Sequence, residues 1–176
     1  MRTVLNDDLH VHYGQCYVHS EGGDPFQGRR TACFAGQRNG LCGAATAGTL
    51  YLITGLHTGN VGFRVEVHDT EPPDQGAEDV VEVSFRVEGA SRLVTWGGES
   101  SWDLDLAPGD YRVRYAGTAM DAGHTRDTRP AGEPERDHYL LQFWPAPPAP
   151  DAIVRRTSAI AEYWHDVARK LPPPPG

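Results

Sequence analysis

The stretch Trp102-Asp-Leu-Asp-Leu-Ala-Pro-Gly-Asp-Tyr-Arg-Val-Arg-Tyr115 sets large apolar against charged side chains on either side of a turn. Trp102, Leu104 and Leu106 fall on one face of an extended chain, and Asp103 and Asp105 on the other. After the turn, Tyr111, Val113 and Tyr115 alternate in the same way with Arg112 and Arg114. Successive side chains of a strand point to opposite sides, so a period of two with one apolar face predicts a half-buried antiparallel strand. Between the two runs, Ala107-Pro-Gly-Asp110 supplies fixed and permissive backbone where the chain reverses.

The same pattern extends in both directions. Val81, Val83, Phe85 and Val87 alternate with Glu82, Ser84 and Arg86; Phe63, Val65 and Val67 alternate with Arg64, Glu66 and His68. Thr49–Thr54 reads as a buried strand and Leu93–Trp96 as a short one. Leu9, Val11 and Tyr13 give an N-terminal strand that continues as Tyr17-Val-His19 beyond Gly14. Glu71-Pro-Pro-Asp-Gln-Gly76 and Gly97-Gly98 punctuate these runs, since two prolines remove ladder donors and glycines accept turn backbone. The fold class this predicts is mainly β: an antiparallel β-sandwich of about eight strands with one C-terminal α-helix. Helices do not alternate with the strands, which excludes a parallel βαβ sheet.

Two regions depart from alternation. Residues 117–137 are rich in Gly, Thr, Asp and Arg and read as a mobile loop within a sandwich domain spanning 1–144. Tyr139, Leu141 and Phe143 then mark a last strand. Residues 145–176 read as a Pro-rich linker, an amphipathic helix and a polyproline end. Asp151 is the expected N-cap of a helix running to Lys170, with Ile153, Thr157, Ile160, Trp164, Val167 and Leu171 along one stripe. Such a stripe must be buried, either on the sandwich or on another chain.

Composition bounds the function. A chain of 176 residues, 39% apolar and 23% charged, suits one domain with a real core. No apolar run approaches the roughly 20 residues of a membrane span, and Met1–Asp8 lacks the apolar stretch of a secretory signal, so a cytoplasmic location is expected. Cys16, Cys33 and Cys42 are odd in number, as reduced thiols are. A two-residue hairpin at Asn39-Gly40 would hold Cys33 away from Cys42. The formal net charge is −8, and residues 151–176 carry four basic against three acidic side chains, leaving −9 on the rest. An acidic body repels polyphosphate and favours a protein partner with a basic surface, not nucleic acid.

Chemistry-bearing groups are sparse. The sequence has no phosphate-binding glycine loop, no paired CxxC, no HExxH and no GxSxG, and no cofactor is implied. His10 and His12, two apart on a strand, could with Cys16 and His19 offer soft-metal ligands, although solvated edge histidines are the simpler reading. Asp121, His124 and Asp127 are an acid–imidazole grouping suited to proton transfer only if a scaffold fixes it. Arg29 and Arg30 could grip a carboxylate, and Trp96 and Trp164 could anchor a partner as interfacial aromatics do. The candidate partner-binding set is therefore Arg29, Arg30, Trp96, Asp121, His124, Asp127 and Trp164.

One family shares this order of elements. An opening Leu9-x-Val11-x-Tyr13-x-Gln15 precedes the small-residue run Gly43-Ala-Ala-Thr-Ala-Gly48 and a strand ending at Gly55. Phe63–Val67, Val80–Val87, Ser101–Leu106 and Leu106-Ala-Pro-Gly-Asp-Tyr111 follow, with a long return to Tyr139–Phe143. Over residues 6–143 the chain resembles the competence protein J family, inhibitors of a DNA-entry nuclease. That resemblance implies an acidic protein masking a nuclease or toxin-like partner. It assigns no site residue, and the segment at Arg29-Arg30, the 117–137 insertion and the appended helix depart from it. Three functions are thus expected in order: a non-catalytic immunity or inhibitor module, an assembly subunit joined through the C-terminal helix as a homo-oligomer, and a small-molecule or metal-binding sandwich.

Overall fold

Strands with one apolar face bury it only by pairing face to face, and two sheets do so here. The computed structural model describes residues 1–22 and 29–173. In chain order the elements are β1 (Arg2–Val11), β2 (Gln15–Ser20), α1 (Arg30–Cys33), β3 (Cys42–Gly43), β4 (Thr49–Ile53), β5 (Gly59–Val67) and β6 (Asp79–Val87). They continue with β7 (Ser91–Thr95), β8 (Ser101–Asp103), β9 (Gly109–Thr118), α2 (Met120–Arg126), β10 (His138–Pro145), β11 (Ala152–Arg155) and α3 (Ala159–Arg169). Among the described residues, a six-stranded sheet has the order β1-β5-β10-β9-β6-β11 and a five-stranded sheet the order β3-β4-β2-β7-β8. All pairings are antiparallel except β10 with β5, which run parallel. The expected sandwich with a C-terminal helix is therefore the fold, with eleven strands among the described residues in place of about eight.

The alternating apolar positions meet between the sheets. Leu9, Val65, Val81, Val113 and Leu141 from the larger sheet share one core with Val18, Leu50, Leu52 and Leu93 from the smaller. Each fully buried Val or Leu contributes roughly 1.5–3 kcal/mol over exposure, so these positions specify the register more strongly than any hydrogen bond. The outer face of the larger sheet is polar but not open. Glu66 and Gln142 there are each 1% exposed, and Arg114 bonds to Glu82, Glu71 and the Pro72 carbonyl. Hydrogen bonds from Gln142 and His68 and the charge of Arg64 offset burial and hold the Glu66 carboxyl below its ordinary value.

Four local expectations are corrected. The 117–137 segment is not without structure: it completes β9, forms α2, and closes on a buried Arg129–Asp137 ion pair at 2.9 Å with neither side chain exposed. Tyr139 Oη donates to Asp137 and accepts the Gly55 amide, while Arg129 also donates to the Asn60 carbonyl. The C-terminal helix begins at Ala159, not after Asp151. Ile153 instead lies on β11, which gives β6 its second neighbour, because an open edge offers an extended segment more hydrogen bonds than an isolated helical turn does. Asp151 accepts the amides of Arg38 and Asn39 and so pins a distant loop. That loop is not a two-residue hairpin; Asn39 Oδ1 accepts the amides of Leu41 and Cys42, and Cys42 pairs with Leu52 on β4.

Tyr13 is the fourth. It was expected on the apolar side with Leu9 and Val11, but β1 ends at Val11 and Tyr13 is 54% exposed. Helix α3 docks on its own chain: Ile160 and Ala161 join the main core, while Trp164 and Leu171 pack around Ala168, Phe34 and Tyr51. Pro174 and Pro175 of the polyproline end lie outside the described residues. No helix among the described residues is long and apolar enough to cross a membrane.

Candidate interaction surfaces

The turn between β1 and β2 carries the most exposed ring cluster. Tyr13 and Gly14 both have positive φ, 56° and 63°, and His12 bridges to Gln15 across them. Two consecutive positive φ values are the signature of a type I′ turn, which favours Asn, Asp or Gly at its first central position. An aromatic there is strained, a cost on the order of 1–3 kcal/mol. The strain displays Tyr13 outward against His12, His57 and Trp96, with ring centroids 4.3, 5.3 and 5.0 Å away. Trp96, 40% exposed, also lies 5.0 Å from His12. The Thr58 hydroxyl lies between the two imidazoles, 2.8 Å from His57 Nδ1 and 3.2 Å from His12 Nδ1.

A second strained residue holds the other side of this cluster. Asp127 sits at φ 60°, ψ −66°, and the Thr128 amide bonds to the Arg126 carbonyl across it at 2.7 Å. That is a γ-turn of the rare positive-φ kind. Its reward is positional: the Asp127 carbonyl accepts the amides of both His57 and Thr58, each at 3.0 Å.

A different surface forms on the outer face of the larger sheet. Asp8, Gly62, His138 and Thr118 lie side by side across β1, β5, β10 and β9, with Asn6, Arg64, Leu140 and Ala116 as the adjacent row. Gly62 has no side chain and His138 lies over it, leaving a cleft of about 460 Å³ rimmed by Asp7, Asp8 and Glu135. Partial desolvation, the hydrogen bond to Glu135 and the charges of Glu135 and Asp7 push the Asp8 carboxyl above its ordinary value. The cleft therefore presents crowded carboxylates to solvent.

Between α2 and α3 a third hollow of about 430 Å³ is lined by Asp121, His124, Ala159, Ile160, Tyr163 and Trp164. The Arg30 guanidinium stacks on the other side of this region, 4.8 Å from the Trp164 ring. Four of the sequence-derived candidates, Arg30, Asp121, His124 and Trp164, thus gather around α3. Asp121 is occupied: its carboxylate accepts the amides of Ala159 and Ile160, and Ser158 accepts that of Ala161, so the first donors of α3 are all satisfied. It is a helix cap, which removes it from proton-transfer chemistry with His124.

Arg29 is exposed just before α1, while Trp96 and Asp127 belong to the ring cluster and not to α3. His10, His12, Cys16 and His19 do not converge. His10 bonds to Asn60 outside the larger sheet, His12 belongs to the turn, Cys16 is in the core and His19 lies beside Tyr17 on the smaller sheet. No group of three or more His, Cys, Asp or Glu among the described residues is arranged to hold a metal. Burial raises the Cys16 and Cys42 thiols well above their ordinary value, the reverse of a reactive cysteine. The reading from sequence missed His57, because nothing in Leu56-His-Thr-Gly59 marks it; the Asp127 carbonyl and the Gly14 amide, both distant in sequence, bring it to the cluster.

No protein-family model matches the chain, and no curated protein sequence matches it either. Solved structures do. Crocagin biosynthetic gene J superposes with a TM-score of 0.51 at 14% identity, covering 84% of this chain and 100% of its own. The chain likewise shares its fold with ComJ of Bacillus subtilis, an inhibitor of the DNA-degrading activity of NucA, with a TM-score of 0.54 at 18% identity over 82% of this chain and 98% of that one.

Proposed function

We propose that this protein is a non-catalytic binding module that masks a basic, nuclease-like protein. The observation that most supports this is the extent of the fold likeness: nearly the whole ComJ chain, an inhibitor in its own right, is matched by this one. The chemistry of the surface agrees with it. Of the surfaces described, one is rimmed by carboxylates and one by exposed Tyr and Trp, which suits capture of a basic protein. The acid–imidazole grouping of Asp121, His124 and Asp127 is taken apart by the capping role of Asp121, whose carboxylate is spent on two amides of α3. The assembly reading is weakened because α3 already spends its apolar stripe within its own chain.

The test is inhibition. Purified chain is titrated into the DNA-degrading fraction of a lysate of the organism that encodes it, with plasmid cleavage as readout. Cleavage should fall to a stoichiometric plateau at low salt and recover as salt rises, because long-range attraction is screened beyond about 8 Å at physiological ionic strength. Cleavage unchanged at every concentration would sink the reading.

A further inference from the structure

We infer that the ring cluster of Tyr13, Trp96, His12 and His57 is the surface that receives a lysine or arginine side chain of the basic partner. This deepens the inhibitor reading and rests on it for the partner's charge.

Three independent observations converge. Turn geometry is the first: a type I′ position that Asn would fill without strain holds Tyr13 instead, and holds it 54% exposed. The turn backbone is anchored, Gly14 donating to the His57 carbonyl and accepting the Thr54 amide, but those bonds would form with Asn at position 13 as well, so what the strain of an aromatic there adds is the displayed ring. The second is that the support is strained as well. Asp127, in its positive-φ γ-turn, fixes His57 and Thr58 through its carbonyl from the opposite side. Two costly backbone conformations from segments over a hundred residues apart meet at one cluster.

Preorganisation is the third. The Thr58 hydroxyl ties both imidazoles, which pack edge-on against Tyr13, and His12 also lies tilted against Trp96, so little side-chain freedom remains to be lost on binding. The faces of Tyr and Trp attract cations, and carboxylates border them. Glu99 shares the Trp96–Glu99 turn, its carboxylate taking the Thr95 hydroxyl, and Asp127, whose backbone carbonyl holds His57, adds an exposed acidic residue on the neighbouring segment. A net charge of −8 brings a cationic partner and turns an anionic one away. An aliphatic partner would need an apolar rim, and this one is charged.

The experiment uses Gly-Arg-Arg-Arg-Gly peptide, with Gly-Glu-Glu-Glu-Gly as control, titrated into ¹⁵N-labelled full chain. The Trp96 indole resonance is assigned by its loss in Trp96→Phe. The arginine peptide should move that resonance and the Tyr13 and His57 amides, while the glutamate peptide leaves them in place. Tyr13→Asn should bind at least tenfold more weakly, yet melt at a higher temperature than the parent chain. Peptide shifts confined to the Asp7/Asp8/Glu135 cleft or to Trp164 would overturn the assignment. So would a Tyr13→Asn chain that melts lower, since Tyr13 would then be structural, or self-association of the parent that Trp96→Ala abolishes. The two proposals fail separately. Intact nuclease inhibition by Tyr13→Asn and Trp96→Ala defeats this surface alone, whereas peptide binding at Trp96 without any inhibition by the parent defeats the inhibitor reading alone.

Discussion

The imidazole of His165, buried on α3, accepts the amide proton of Gly40 through Nδ1 at 2.9 Å. Gly40 can come this close because it has no Cβ; one would run into the Trp164 carbonyl. The bond fixes the tautomer, with the proton on Nε2, and it exists only while the ring is neutral. Burial holds the His165 pKa below its ordinary value of 6.5. The unfolded chain therefore binds the proton more readily than the folded one. Stability from this residue is complete above pH 6.5 and is lost as pH falls through the lower folded value, at up to about 1.4 kcal/mol per pH unit for one proton. Denaturant melts between pH 7.5 and 5 should show that decline, and His165→Asn, which keeps an acceptor but cannot titrate, should flatten it.

Gly40→Ala tests the same junction from the other side. The methyl group has no room against the α3 backbone, so α3 must shift off the loop. A loss of about 2–4 kcal/mol is expected, as for overpacking that also breaks a buried hydrogen bond. Urea denaturation measures it, and a loss under 1 kcal/mol would show that the contact is soft.

Asp121 is predicted to matter for stability and not for partner contact. Asp121→Ala strips the first two amides of α3 of their acceptor and should cost about 1 kcal/mol, typical of a lost cap. Amide exchange should quicken at Ala159 and Ile160 first, with no change near Trp96.

Arg129 and Asp137 form a pair with no exposed side-chain surface. Asp137→Ala leaves the guanidinium buried without its counter-charge and Tyr139 Oη without an acceptor, and should cost about 3–5 kcal/mol. Replacing both partners with apolar residues should recover most of that loss; a double variant as unstable as the single one would contradict this account.

At the acidic cleft, Glu135→Gln should return the Asp8 carboxyl toward its ordinary value by removing the charge beside it. Because the folded value is raised, the penalty it relieves grows as pH rises through that value, so the substitution should stabilise at neutral pH and not at pH 3. Carboxyl ¹³C titration of Asp8 follows the shift directly.

Alternation made the sandwich legible, because β5, β6, β9 and β10 each turn large apolar side chains to the shared core and mostly polar ones to the outer face, so the period of two survives in their sequences. It misled at Tyr13, where parity continued but the strand did not, and a turn strained against its own sequence preference leaves no mark in composition. Residues 151–158 were misread because Ile153 and Thr157 keep a helical spacing with Ile160, while the open edge of β6 decided their conformation. Trp96 stood out as a rim residue beside two glycines, but its companions His12 and His57 are joined to it only by the fold.

The parallel pairing of β10 with β5 has a consequence for how the molecule comes into being. β10 is inserted between β5 and β9, so β1 and β5 have no ladder to the rest of their sheet until residues 138–145 arrive. A chain emerging from the ribosome in N-to-C order holds two incomplete half-sheets with bare edges for most of its synthesis. Residues 138–145 then act as the keystone that closes the arch, and truncation before residue 138 should yield an aggregating fragment instead of a smaller folded one.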